Sequence, residues 1–246
     1  SPWVMVEATI SEAKRLVPDP EFILWTGDFR RGYPTVRGRA EVEEVMLNST
    51  NLITSYFPNT RIFPVFGNHD VCSPLSLSSF LFFFLHFHLH SHLISFHIYF
   101  IQHRHIHLQS WIPAQDQSGC THLRELIAAS SRGQKAYLVA HCPPNPTGNW
   151  PKFNQQWADL IRKYHTAIVA GFYGHDHLDF TRLIYDQTGY HNPHAKAIHM
   201  GFIGPSGTPK YGGPFGGHNP GFRVFHRMND SSPLLRSHET YYCDLE

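Results

Sequence analysis

Four short motifs place Gly or Ala before side chains that bind metal ions or carry protons. They are Gly27-Asp28, Gly67-Asn68-His69-Asp70, Ala140-His141 and Gly174-His175-Asp176-His177. Carboxylate, amide oxygen and imidazole together suit a divalent transition metal such as Zn, Mn or Fe. Because these motifs hold no Cys, they favour a catalytic metal centre over a closed structural zinc site.

Each motif alone has an ordinary structural explanation. A Gly-Asp pair after a strand is a typical turn, and a single His is commonly a cap or a core group. His175 and His177 are more specific, because residues i and i+2 of an extended segment point to the same side. The prediction of a site therefore depends on all four motifs together.

The motifs lie where predicted strands end. Short apolar runs that directly precede them occupy residues 22–25, 61–66, 136–140 and 167–173. Helical periodicity occupies residues 6–16, 41–56, 123–130 and 155–164. Past Asp179, short apolar runs and a Gly/Pro-rich stretch indicate strands and loops. This pattern predicts one α/β layered domain over residues 1–246, in which neighbouring strand ends bring the motifs to one crevice.

The composition narrows the classes of protein. Of 246 residues, 41% are hydrophobic, which is enough for a sizeable core and excludes a disordered or fibrous protein. The 20 Lys and Arg balance 19 Asp and Glu, so no nucleic-acid polymer is expected as a partner. Four Cys without CxxC spacing exclude a disulfide scaffold. Asn48 and Asn229 begin N-x-S/T sequons, which would carry glycans in a secreted protein.

The segment 73–110 differs from the rest of the chain. It holds eight His, one Arg and no acidic residue, and its His residues interrupt the apolar run that a membrane-spanning helix needs. We interpret it as a low-complexity insert translated from non-coding sequence, which a mature transcript lacking these codons would support. A strand with one His face, and hence a metal-buffering protein, stays open as an alternative. Metal stoichiometry after deletion of 73–110 would distinguish the two.

The motifs and their flanking residues resemble the acid sphingomyelinase and acid sphingomyelinase-like phosphodiesterase family of the calcineurin-like metallophosphoesterase superfamily. The resemblance rests on residues 22–28, 65–70, 139–144, 172–177 and 219–225, and it covers nearly the whole chain outside 73–110. It implies the layered α/β sandwich of that superfamily, with sheets flanked by helices and with the N-terminal part of the fold absent from this chain.

The same resemblance implies a two-metal centre. Asp28 would bridge two divalent metal ions, expected to be zinc. Asn68, His141 and His175 would complete the shell of the second ion, and His177 would bind the first. Two neighbouring cations activate a water molecule and neutralise phosphoryl oxygens.

His69 has a different implied role. It would face the substrate phosphate as a catalytic residue and protonate the leaving oxygen. Asp70 and Asp176 would orient neighbouring imidazoles or cap turns. No substrate-binding residue is assigned, although Arg30 or Arg31 could contact an anionic substrate or simply lie exposed.

One departure from the family pattern affects the first ion. Family members begin the site with an Asp-x-His motif, which does not occur in these 246 residues. The first ion keeps only Asp28 and His177, whereas catalytic sites typically have three protein ligands. We therefore expect this chain to bind one ion well and the other poorly, with weak activity.

These observations predict a phosphoric diester hydrolase that is secreted or lysosomal. Its substrate would be a phosphodiester such as sphingomyelin or a nucleotide, and a lipid substrate would bring contact with a membrane surface. The alternative is a catalytically impaired family member that acts as a binding protein, because the Asp-x-His motif is absent.

Overall fold

The computed structural model describes residues 3–29, 39–65, 67, 70, 89–91, 94–101, 130–143, 151–186, 192–206, 210–213, 216–229 and 232–244. The helices within them are α1 (Trp3–Leu16), α2 (Arg39–Tyr56) and α3 (Pro151–Tyr164). The strands are β1 (Phe22–Trp25), β2 (Arg61–Pro64), β3 (Leu89–Ser91), β4 (Ile94–Ile101), β5 (Lys135–Ala140), β6 (Ile168–Tyr173), β7 (Phe180–Tyr185), β8 (Ala197–Ile203), β9 (Lys210–Gly213), β10 (Gly216–His218), β11 (Gly221–Asn229) and β12 (Ser232–Tyr242).

A six-stranded sheet forms the centre of the fold, in the order β3-β4-β5-β6-β8-β7. The neighbours β4, β5, β6 and β8 run parallel, and the outer strands β3 and β7 pair antiparallel with β4 and β8. Strands β5 and β6 are almost fully buried, as expected for parallel strands covered on both faces. Their carboxyl ends point in one direction, so the loops that follow them meet at one edge of the sheet.

Helix α3 covers one face of this sheet. It begins at Pro151, whose ring favours the first helical position, and Arg162 and Lys163 lie in its last turn, where they oppose the helix dipole. Trp157 and Ile161 are buried against Leu138 of β5 and its neighbours, and Leu160 and Tyr164 pack beside them. The apolar stripe predicted for this helix is therefore the surface that closes one core.

The opposite face packs against further strands. The parallel pair β1 and β2 contributes Phe22, Leu24 and Phe63, and the antiparallel hairpin β11–β12 contributes Phe225 and Leu235. These side chains meet Tyr137, Val139, Phe172 and Phe202 of the central sheet in a second core. Helix, sheet and further strands thus form the layered α/β sandwich predicted from the sequence.

Most predicted elements occur at nearly the predicted bounds. The predicted helix over 155–164 begins four residues earlier, at Pro151. Of the predicted helix over 123–130, only residue 130 lies within the described residues. Within the segment 73–110, residues 94–101 form β4 and pair in parallel register with β5. Among the described residues, no helix is long and apolar enough to cross a bilayer.

Candidate metal centre

Three strand ends meet at one edge of the sandwich. Asp28 follows β1, His141 follows β5 and His175 follows β6, each within three residues of the strand's last residue. The Gly174 amide donates a hydrogen bond of 2.9 Å to the His141 carbonyl. A Cβ at Gly174 would lie only 2.8 Å from the Thr26 hydroxyl oxygen. Gly174 therefore permits a close approach of the loop after β6 to the loop after β1.

Three of the predicted ligands bring their donor atoms together. His141 Nε2 lies 3.1 Å from Asp28 Oδ2 and 3.1 Å from His175 Nδ1. Two ligand atoms that each bind zinc at about 2.0–2.2 Å are themselves about 3 Å apart, so each of these two separations fits a pair of ligands on one ion. His141 is only 2% exposed and the Asp28 side chain 12%, whereas His175 is exposed. The cluster is thus buried on the side of His141 and Asp28 and open to solvent on the side of His175.

The orientation of His141 is set by the backbone of the neighbouring loop. Its Nδ1 lies 2.6 Å from the Thr26 carbonyl oxygen, which can only accept a hydrogen bond. Nδ1 therefore carries a proton and donates it, which leaves Nε2 facing Asp28 and His175. A protonated Nε2 donates to the Asp28 carboxylate, and a deprotonated Nε2 offers its lone pair to a metal ion. A backbone carbonyl behind a His ligand is a common partner in metal sites, because it fixes the tautomer and the ring plane.

The electrostatic environment of His141 favours a cation. Burial, the largest single effect, lowers the pKa of the imidazole, but the hydrogen bond to Asp28, the Asp28 charge and the Thr26 carbonyl together outweigh it. The net result is a raised pKa for His141. The same carboxylate that attracts a proton to Nε2 would attract a divalent ion, so proton and metal compete for this position.

Backbone strain coincides with the predicted ligands. Among the described residues, the non-glycine positions with positive φ are Asp28 at 58°, His175 at 67° and His177 at 58°. The left-handed conformation costs a non-glycine residue about 1–3 kcal/mol, and such outliers cluster at functional sites. Two of these residues, Asp28 and His175, carry the side chains that lie 3.1 Å from His141 Nε2.

Asp70 links the loop after β1 to the loop after β2 through hydrogen bonds. Its buried carboxylate oxygen Oδ2 accepts hydrogen bonds of 2.7 Å from the backbone amides of Asp28 and Gly67. A Cβ at Gly67 would lie 2.0 Å from Asp28 Oδ1, so only Gly fits there. Asp70 therefore caps the turn after β2, which is one of the two roles considered for it from the sequence, and it also holds the Asp28 backbone in place.

The remaining predicted residues are placed as follows. His177 is half-buried and lies two residues after His175 in the same loop. Asp176 donates its amide to the Gly174 carbonyl at 2.8 Å, within the turn that carries both His residues. Asn68, His69, Arg30 and Arg31 lie outside the described residues. The assignments of Asn68 to the second ion and of His69 to proton transfer stay predictions.

Sequence reasoning missed one donor. The half-buried Cys142 brings its sulfur within 4.8 Å of one ligand nitrogen each from His141 and His175. Burial, and then the charges of Asp28 and Asp176, raise the pKa of its thiol to about 12. Its position directly after His141 was visible in the sequence, but a single Cys outside any CxxC pattern gave no sign of a ligand.

Comparison with known proteins gives an independent result. The model of the calcineurin-like phosphoesterase family matches residues 5–179. Acid sphingomyelinase-like phosphodiesterase 3b of Mus musculus is 28% identical over an alignment of 286 positions, which covers 100% of this chain and 61% of that protein. The sphingomyelin phosphodiesterase of Homo sapiens is 32% identical over 127 residues, 49% of this chain and 18% of that protein. A cyclic GMP-AMP phosphodiesterase of Rattus norvegicus is 25% identical over 285 residues, 100% of this chain and 62% of that protein. The chain thus spans about three-fifths of the length of the first and third of these relatives.

Proposed function

The chain belongs to the calcineurin-like phosphoesterase family, and from this premise we propose that it is a metal-dependent phosphodiesterase. The position of His141 Nε2, 3.1 Å from Asp28 Oδ2 and 3.1 Å from His175 Nδ1, carries the proposal. These atoms come from three loops far apart in sequence. A carboxylate and two imidazoles at the carboxyl ends of strands form a donor set for a divalent ion with an exposed side for substrate.

The proposed ligands divide between two ions. Asp28, Asn68, His141 and His175 hold the second ion, and Asp28 and His177 hold the first. Zinc is the metal proposed from the family resemblance, and it is one of the ions that carboxylate and imidazole donors suit. When bound, such a metal pair supplies an activated water molecule and neutralises charge on the phosphoryl oxygens.

The chain's own residues position the reaction. The Thr26 carbonyl fixes the His141 ring, and Asp70 holds the backbone of Asp28. His69 is proposed to donate a proton to the leaving oxygen, so that the alcohol leaves as a neutral group. These roles predict that the site binds a phosphate diester at the open side of the cluster, next to the exposed His175.

A substitution with a matched control tests the proposal. His141→Asn removes the central ligand, whereas His165→Asn changes an exposed His that lies after α3. We expect His141→Asn to lose bound zinc and the hydrolysis of bis(p-nitrophenyl) phosphate, and His165→Asn to keep both. Full metal content and turnover in His141→Asn would overturn the proposal.

The substrate class is proposed as either a sphingolipid or a nucleotide phosphodiester. Named relatives act on both kinds: sphingomyelin phosphodiesterases and a cyclic GMP-AMP phosphodiesterase. Product analysis after incubation with sphingomyelin micelles and with cyclic GMP-AMP, in parallel, distinguishes them. Turnover of the lipid alone would also support contact with a membrane surface.

A second candidate function follows from the missing Asp-x-His motif. The chain would then hold one ion firmly, bind phosphodiesters and hydrolyse them weakly or not at all. Metal analysis after gel filtration separates the candidates, because the enzyme needs two ions per chain and the binding protein retains one. Two tightly held ions together with full turnover would exclude the second candidate.

The proposed location is extracellular or lysosomal, with glycans at the sequons of Asn48 and Asn229. Asn48 is exposed on α2, so an oligosaccharide could reach it. A mobility shift of the protein from its natural source after treatment with a peptide N-glycosidase would support this. An unshifted band of unmodified mass would contradict glycosylation.

A further inference from the structure

We propose that Cys142 supplies a thiolate ligand to the ion bound by His141 and His175, which makes this centre selective for thiophilic metals. The inference rests on the proposed metal site and adds a donor that the family motifs do not contain. It concerns the identity of the ion, which the oxygen and imidazole donors alone leave open among Zn, Mn and Fe.

The geometry of the donors supports a shared ion. One ligand atom each of His141, Cys142 and His175 lies within 4.8 Å of both others. In a tetrahedral zinc shell with a sulfur at about 2.3 Å and a nitrogen at about 2.0–2.1 Å, the two atoms are about 3.5 Å apart. The separations therefore need to close by no more than about 1 Å to bring the sulfur to the ion, and rotation of the Cys142 side chain or adjustment of the exposed His175 can supply this.

The surroundings of the sulfur include a carboxylate. His141, the residue before Cys142, has its Nε2 3.1 Å from Asp28 Oδ2. Cys142 is half-buried beside the fully buried His141, so water reaches the sulfur poorly. On metal binding the S–H bond breaks, a metal–sulfur bond forms and the proton leaves to solvent.

Selectivity follows from the softness of the donor. Thiolate ligands favour zinc and cadmium, whereas carboxylate, carbonyl and water ligands suit magnesium, calcium and manganese. Without the sulfur, the site has one carboxylate and two imidazoles among the described donors. With it, a fourth donor raises the affinity for Zn and Cd relative to Mn.

The experiment uses Co²⁺ as a spectroscopic probe in the full chain, reduced with a phosphine that lacks thiols. A cobalt–thiolate bond gives a sulfur-to-metal charge-transfer band in the near ultraviolet, separate from the visible d–d bands of any bound cobalt. Cys142→Ser removes the proposed ligand, and Cys243→Ser is the matched control, since Cys243 is an exposed free Cys. We expect the charge-transfer band in the wild type and in Cys243→Ser and its loss in Cys142→Ser, with d–d bands retained in all three.

The same variants give an affinity readout. Competition with a chromophoric chelator should show Cd²⁺ binding weakened more than about 10-fold in Cys142→Ser, a loss at least as large as that caused by removing an outer-shell partner. Mn²⁺ binding should be nearly unchanged. Visible d–d bands without a charge-transfer band in the wild type would overturn the thiolate ligand and leave the metal site standing. Absence of cobalt bands altogether would overturn both this inference and the proposed function.

Discussion

Replacing Gly67 by Ala tests how closely the loops after β1 and β2 must approach. The added Cβ would lie 2.0 Å from Asp28 Oδ1 and 2.4 Å from the Asp28 backbone nitrogen, whereas real Cβ contacts essentially never fall below 3.0 Å. The Asp28 loop must therefore move by at least about 1 Å. A displacement of this size at a reacting group costs about 100-fold in rate. Overpacking of a buried position also costs about 1–3 kcal/mol of the free energy of unfolding.

The assay measures bound metal per chain, turnover of bis(p-nitrophenyl) phosphate and the unfolding midpoint. Gly133→Ala is the control: Gly133 has a φ of 68°, and a Cβ there meets nothing within 4 Å. It should lose about 1 kcal/mol of stability through strain, with metal binding and turnover unchanged. Gly174→Ala, with a Cβ 2.8 Å from the Thr26 hydroxyl oxygen, should fall between the two. Wild-type metal content and turnover in Gly67→Ala would refute the steric argument.

Three further predictions concern the pH dependence of stability, the hydrogen bonds accepted by Asp70 and the stabilisation by bound metal. Burial lowers the pKa of His199 from 6.5 to about 4, so the unfolded chain binds a proton that the folded chain does not bind. The contribution of His199 to the free energy of unfolding is therefore fully present above pH 6.5 and is lost as the pH falls toward 4. Urea unfolding at pH 7 and pH 4.5 should show that the wild type loses up to about 3 kcal/mol more than His199→Leu, and equal losses would contradict this. Asp70→Ala should lower the free energy of unfolding by about 3 kcal/mol and weaken metal binding, because the buried Gly67 amide and the half-buried Asp28 amide lose their acceptor. Asp70→Asn keeps one accepting oxygen and should recover much of the stability and of the metal binding. Equal losses in the two variants would contradict the proposed role of the Asp70 hydrogen bonds. Chelation of a metal present at about 100 times its dissociation constant should remove about 2.7 kcal/mol of stability, and an unchanged unfolding midpoint would mean that no ion was bound.

Much of the fold could be predicted because local patterns and tertiary structure agree. The stripe of Trp157, Leu160, Ile161 and Tyr164 identifies α3 and its buried face. Strands β5 and β6 are continuous apolar runs because both of their faces are covered. Strands β7 and β12 were harder to delimit, since their burial alternates or is low and polar residues interrupt them. Their positions depend on pairing with β8 and β11, which single-strand periodicity does not reveal.

The site was predictable at the level of residue types and less so at the level of contacts. Family membership is confirmed by the family match, and Asp28, His141 and His175 do come together. The double acceptor role of Asp70 and the Thr26 carbonyl behind His141 depend on backbone placement across loops more than 40 residues apart in sequence. Cys142 was not recognised because its proximity to His175 arises only when β5 and β6 pair.

The C-terminal hairpin bears on whether a shortened form of the chain can fold. Phe225 of β11 stacks edge-on against Phe172 and Phe202, with ring centroids 4.9 Å apart in both pairs. The Tyr137 hydroxyl of β5 donates a hydrogen bond to the Pro233 carbonyl of β12. A fragment that stops at residue 179, where the family match ends, would lack β7 and β8 of the central sheet as well as this hairpin, and it would expose apolar side chains of the remaining strands to water. The part of the chain that matches the family is consequently not a separable module, and expression of the shortened piece should yield aggregates instead of a soluble domain.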